Sequence, residues 1–112
     1  MSDATLAPSI FRVDKFVVPA AAREEFLSKV RPTHELFDTL EGCRQNLVLE
    51  QVAGPGEFNI VTIVEWEGAV AVEKAKIAVQ ALHARLDIKP QEVFARLGVK
   101  ADMASYGTVA AA

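Results

Sequence analysis

Two histidines, His34 and His83, are the only side chains in this 112-residue sequence whose ordinary titration range lies near neutral pH. General-base chemistry at pH 7 therefore falls first to them. His34 lies four residues after Val30 and three before Phe37, and His83 lies four after Val79 and three before Leu86. Each flanks an apolar stripe of helical spacing. If both helices cover the same face of a sheet, the two imidazoles reach one pocket; otherwise each is a boundary histidine half in solvent. Trp66 offers an apolar wall and an indole N–H donor, or a plug for the end of a core, and Phe37 and Phe94 suit a core or an aromatic cage. Arg12 and Asp14, two apart in a segment of alternating character, share one face, while Lys15 interrupts the other and is expected to snorkel toward the strand's end. No metal site is expected, because one cysteine and two histidines on separate segments make no ligand set. Cys43, beside Arg44, is read as structural, and no phosphate-cradling glycine loop occurs.

These residues need elements to hold them. Ile10–Val18 (IFRVDKFVV) mixes β-branched and aromatic residues with charges in alternating slots and is stopped by Pro19, which predicts a strand. From Ala20 to Leu40, Phe26, Val30, Phe37 and Leu40 fall on one stripe, with Glu24 and Glu25 at the favourable amino-terminal end; this predicts a helix kinked at Pro32. Gly42 supplies a stop, and Cys43–Val52 (CRQNLVLEQV) alternates again as a second strand. The turn-forming stretch AGPGE at 53–57 joins it to Phe58–Glu67 (FNIVTIVEWE), the most apolar strand, and together they make a hairpin. Val72, Ala75, Val79, Leu82 and Leu86 give a second amphipathic helix over Gly68–Leu86. A short third helix starts around Pro90 and ends before Gly98, and Val99–Thr108 reads as a last, polar strand. Residues 1–9 read as a flexible lead-in and 109–112 as a loose tail around a single domain at 10–108.

Strand, helix, strand, strand, helix, strand is the ferredoxin-like βαββαβ order, an α+β fold with a four-stranded antiparallel sheet and the first and third strands at its centre. The polar second and fourth strands suit its edges. Composition then poses a problem. Half the residues (51%) are hydrophobic, yet a chain this short buries only about two-thirds of its surface. Helices on one face leave an apolar opposite face, which predicts a homodimer packing sheet against sheet. Arg12 and Asp14 are then expected either as an ion pair across that dimer or as the lining of a polar cavity. With 12 Lys+Arg against 15 Asp+Glu and no basic cluster, nucleic acid is not an expected partner. No apolar run approaches the ~20 residues of a bilayer span, no charged-then-apolar leader opens the sequence, and the single cysteine fits a reducing compartment. The expected location is cytoplasmic, with no membrane contact.

Glu41-Gly42-Cys43 opening the second strand, the hairpin, and Ile60-Val61-Thr62-Ile63-Val64-Glu65-Trp66-Glu67 leading into an alanine-rich helix resemble the antibiotic-biosynthesis monooxygenase family, from about Ile10 to Tyr106. The resemblance implies a dimeric α+β barrel with one pocket per subunit between sheet and helices. It also implies a cofactor-independent monooxygenase acting on a small phenolic or quinol substrate. His34 and His83 would then take the substrate's proton, and Trp66, Phe37, Arg12 and Asp14 would line its site. Two features depart from the family pattern: Val64 stands where many members have an acid, displaced here to Glu65, and the histidine slots of the second helix fall near Ala75 and Gln80. The alternative is a non-catalytic barrel that holds a small apolar ligand or has only a structural role. Haem degradation is disfavoured, because the first strand has no Asn and the second helix no Trp.

Overall fold

The computed structural model describes residues 8–110; what was expected of residues 1–7 and 111–112 lies outside them. Its elements are β1 (Ile10–Val17), α1 (Arg23–Phe37), β2 (Cys43–Glu50), β3 (Ile60–Trp66), α2 (Ala69–Leu86), α3 (Pro90–Leu97) and β4 (Lys100–Tyr106), with a 3-10 turn at Ala20–Ala22 leading into α1. The sheet order is β2-β3-β1-β4, all antiparallel. The ferredoxin-like arrangement is therefore as the sequence predicts, with the two most apolar strands at the centre. Helix α1 runs through Pro32 without a break.

Register decides which side chains meet. On β1, Arg12, Asp14 and Phe16 pair with Val64, Thr62 and Ile60 of β3, and on β2, Asn46 pairs with Val64. Side chains alternate across a sheet, so these residues share its helix-covered face. Strand β3 shows it most plainly: Ile60, Thr62, Val64 and Trp66 are buried while Val61, Ile63 and Glu65 between them are half-buried. The opposite face carries Phe11, Val13, Leu47, Val61 and Ile63, and no element among the described residues covers it.

The core beneath the helices is divided. At one end Phe16, Val18, Ala22, Phe26 and Ile60 form a cluster completed by Phe94, with Phe16 and Phe26 edge-to-face at 5.0 Å. At the other end Val64, Trp66, Ala71 and Ala75 pack with Phe37 and Leu40. Gly42 permits the second cluster to close. Its φ is +86°, and a Cβ there would lie 2.6 Å from the Ala71 Cβ, so only glycine fits both the turn and the helix packed on it. Leu82 is buried, but Leu86, expected on the same stripe, is 44% exposed because α2 ends there in a left-handed cap at Asp87. Ser9, in the expected lead-in, is tied down: its hydroxyl donates to Glu65 Oε2 at 2.5 Å and accepts from Arg44 Nη1 at 2.6 Å.

Candidate functional site

Between the two clusters lies a cavity of about 430 Å³, roofed by the three helices and floored by β1 and β3. All six residues singled out from the sequence, His34, His83, Trp66, Phe37, Arg12 and Asp14, line it. Its size falls within the range of small-molecule sites, about 300–1,000 Å³. The aromatic end is built by Phe37, which meets Trp66 edge-on at 5.3 Å and His34 edge-on at 5.2 Å. Trp66 is only 3% exposed. It is thus both a core residue and part of the cavity wall, the two uses its sequence position leaves open.

His34 is oriented by a residue the sequence did not single out. Its Nδ1 lies 2.6 Å from Asn46 Oδ1, while Asn46 Nδ2 donates to the His34 main-chain oxygen at 2.7 Å and to Asp38 Oδ1 at 2.9 Å. Since the amide nitrogen is committed to two acceptors, its oxygen must be the atom facing the ring. The imidazole Nδ1 must then carry the proton, which leaves Nε2 with a lone pair. Nε2, on the other side of the ring from Asn46, has no hydrogen-bond partner among the described residues, and the residue lines the cavity. Burial pulls the His34 pKa below its usual 6.5, against the Asn46 hydrogen bond and the nearby Asp14 and Asp38 carboxylates, which raise it. The neutral base form is accordingly the resting state at pH 7.

His83 sits one turn from the end of α2 and faces α1, where its Nε2 is 3.0 Å from the Thr33 hydroxyl. Burial lowers its pKa as well. The two histidines therefore share the cavity in different roles: one presents a free nitrogen, and the other is engaged in a link between helices. On the floor, Arg12 Nε donates to Asp14 Oδ1 at 2.6 Å. The ion pair joins neighbouring inward positions of one strand and lines the cavity; it does not reach across the opposite face of the sheet. Burial raises the Asp14 pKa, an effect the Arg12 hydrogen bond and charge only partly offset.

Neither a protein-family model nor a curated protein sequence matches the chain. Solved structures do. A variant of SnoaB, a cofactor-independent oxygenase from Streptomyces nogalater, gives a TM-score of 0.63 over 94% of this chain and 97% of its own, at 17% identity. A Deinococcus radiodurans protein provisionally assigned as an antibiotic biosynthesis monooxygenase gives 0.66 over 92% and 95%, at 15% identity. MhuD, a haem degrader from Mycobacterium tuberculosis, gives 0.63 over 92% and 98%, at 18% identity. The chain has the antibiotic-biosynthesis-monooxygenase fold.

Within that fold, the positions that depart from the family pattern can be located. Val64 is buried on the cavity floor, and Glu65 next to it lies on the opposite face of the sheet. Ala75 and Gln80 both line the cavity, so the second-helix slots contribute a methyl and an amide where imidazoles were sought. Reasoning from sequence missed Asn46, Thr33 and Thr62. Asn46 alone carried a signal: it is a polar residue in the inward slot of an alternating strand, between Gln45 and Leu47 of the outer face. Thr62 is 3% exposed and sits beside Asp14 on the floor. Cys43 Sγ donates to the Gln45 main-chain oxygen at 3.6 Å, and burial pushes its thiol pKa up, which disfavours the thiolate. Among the described residues no three His, Cys, Asp or Glu side chains are grouped to hold a metal.

Proposed function

We propose that the protein is a cofactor-independent monooxygenase for a small phenol or quinol bound in the cavity between sheet and helices, working as a homodimer. The observation that supports it most is the His34 ring, held by Asn46 with Nε2 unprotonated beside the apolar wall of Phe37 and Trp66. A hydroxyl donating to Nε2 gives up its proton as the ring becomes imidazolium, a charge that Asp14 and Asp38 favour. The resulting aryloxide is electron-rich and passes one electron to dioxygen. Recombination of the two radicals forms the carbon–oxygen bond, and loss of water leaves the quinone. The sum balances: a hydroquinone and dioxygen give a hydroxyquinone and water. His83, bonded to Thr33, is assigned the second proton position, and apolar walls exclude the bulk water that would hydrate the anion.

Sheet-on-sheet pairing is supported by the uncovered row Phe11, Val13, Leu47, Val61 and Ile63, which a dimer would bury. Haem degradation is not part of the reading, since β1 has no asparagine and α2 no tryptophan. The test is dioxygen uptake with a panel of hydroquinones and polycyclic phenols. Uptake that depends on the protein and falls at least a hundredfold in His34→Ala is expected. No protein-dependent uptake, or a full rate in the His34→Ala, His83→Ala double variant, overturns the assignment and leaves the non-catalytic ligand-binding alternative. A hemin titration that shifts the Soret band would reopen the haem reading.

A further inference from the structure

The cavity carries a charge that the oxygenation step does not use. The chain has a formal net charge of -3, yet among the described residues the formally charged ones lining the cavity are Arg12, Lys29 and Lys76 against Asp14 alone. Lys29 comes from α1 and Lys76 from α2, on the two helices that roof the space, and Arg12 comes from its floor. Among the described residues Lys76 pairs only with Glu73, at 3.4 Å across one helical turn, an exposed pair of little strength.

Arg12 is the more telling of the three. It sits on the helix-covered side of a central strand, but its side chain is 40% exposed. Only its Nε is committed, to Asp14 at 2.6 Å; Nη1 and Nη2 have no partner among the described residues, and no buried side-chain nitrogen in them lacks one. The terminal fork is therefore accessible, and on this face access means the cavity. An ion pair serving structure alone is a poor choice for a sheet centre, where apolar residues of similar volume stabilise as well or better. A guanidinium braced from behind through Nε, with two parallel N–H groups presented forward, matches a planar carboxylate.

We infer that the ligand of this cavity is an aromatic acid, its ring against Phe37 and Trp66 and its carboxylate on the Arg12 fork, with Lys29 and Lys76 drawing the anion in between the helices. In the oxygenase reading, on which this inference rests, the substrate is then a hydroxylated aromatic carboxylate, anchored at Arg12 while its hydroxyl meets His34. Phosphate and sulfonate esters share the anionic chemistry and can also engage the fork, so the phosphate probe below separates them from the carboxylate.

Isothermal calorimetry on the intact chain tests this without turnover. The probes are 1-hydroxy-2-naphthoate, its carboxamide, and 1-naphthyl phosphate, with the Trp66 indole N–H resonance reporting that binding occurs in the cavity. The acid should bind at least tenfold tighter than the amide and tighter than the phosphate at low salt, and lose affinity as salt rises. Arg12→Gln should abolish the acid-over-amide preference. Because that change strands Asp14, the Arg12→Gln, Asp14→Asn double variant serves as a neutral control and should show the same loss. Equal binding of acid and amide, or a preference that survives in the double variant, overturns the inference. Tighter binding of the phosphate also overturns the choice of carboxylate. An acid preference without dioxygen uptake would keep this inference and remove the oxygenase; uptake without an acid preference would do the reverse.

Discussion

Replacing Asn46 with leucine keeps the branched side-chain skeleton and removes the group that orients His34. Three hydrogen bonds disappear, to His34 Nδ1, to the His34 main-chain oxygen and to Asp38. The first leaves a part-buried ring N–H without a partner, a loss of about 1–2 kcal/mol. The second is cheaper, because the His34 oxygen also accepts from the Asp38 main-chain N–H at 3.3 Å. The third is exposed and contributes little once water replaces it. The sum is about 2 kcal/mol, which for a domain of this size lowers the melting temperature by roughly 10 °C. The functional effect is separate from the loss of stability. Freed from Asn46, the ring populates the tautomer with its proton on Nε2, and the base is lost from that fraction of molecules. Nitrogen-15 NMR of the His34 ring should show Nδ1–H alone in the native protein and a mixture in Asn46→Leu. Turnover at saturating quinol should fall at least tenfold at a temperature where both proteins are folded. Asn46→Asp should restore the Nδ1–H tautomer and raise the His34 pKa, because a carboxylate replaces the amide beside the ring. An unchanged tautomer in Asn46→Leu, or unchanged turnover with an altered one, refutes the reasoning.

Gly42→Ala should cost about 2–4 kcal/mol, since it combines a left-handed backbone with a 2.6 Å approach to Ala71; a melting temperature within 3 °C of the native value would contradict this. Both histidines have pKa values lowered by burial, so the unfolded chain binds protons near pH 6.5 that the folded chain refuses. Stability should therefore fall as pH drops from 7.5 toward 5.5, and the slope should flatten in a His34→Gln, His83→Gln variant; a pH-independent urea midpoint over that window would be the contrary result. Asp14 acts in the opposite sense at lower pH: its raised pKa makes its ionised form a cost that protonation relieves as pH falls toward the usual carboxylate range. Light scattering should give twice the 12.1 kDa chain mass, and Ile63→Glu, at the centre of the uncovered sheet face, should give a monomer; a native monomer at micromolar concentration would refute the assembly.

The elements were legible because two periodicities compete cleanly in this chain. The buried alternation of β3 and the stripe of α1 carry the topology, and topology brings both histidine-bearing helices to one side of the sheet. Element ends were less legible, because side chains folding onto loops set them. Strand β2 stops at Glu50, short of Val52, where the Gln51 side chain turns to bond the Gly54 and Gly56 carbonyls. Strand β3 starts at Ile60, after Asn59 clamps both the N–H and the C=O of Val18. In the site, the boundary positions of His34 and His83 could be read from spacing, but not their partners. Asn46 is twelve residues from His34 and Thr33 fifty from His83, and a lone Asn on an edge strand looks the same whether it is solvated or braced. Arg12 and Asp14 could be placed on a common face, but alternation does not say which face the helices take.

The divided core has a consequence for motion. The first two turns of α2 are seated by Ala71 and Ala75 against Trp66, whereas beyond Val79 the helix is held by Leu82 and the His83–Thr33 bond, and cavity-lining residues run along both halves from Val72 to His83. Amide protons in the second half of α2 should therefore exchange through small local openings, while those of β1 and β3 wait for global unfolding. The same half-helix carries Val79, Gln80 and His83 into the cavity lining, so its local openings would loosen part of the cavity wall without unfolding the sheet beneath it.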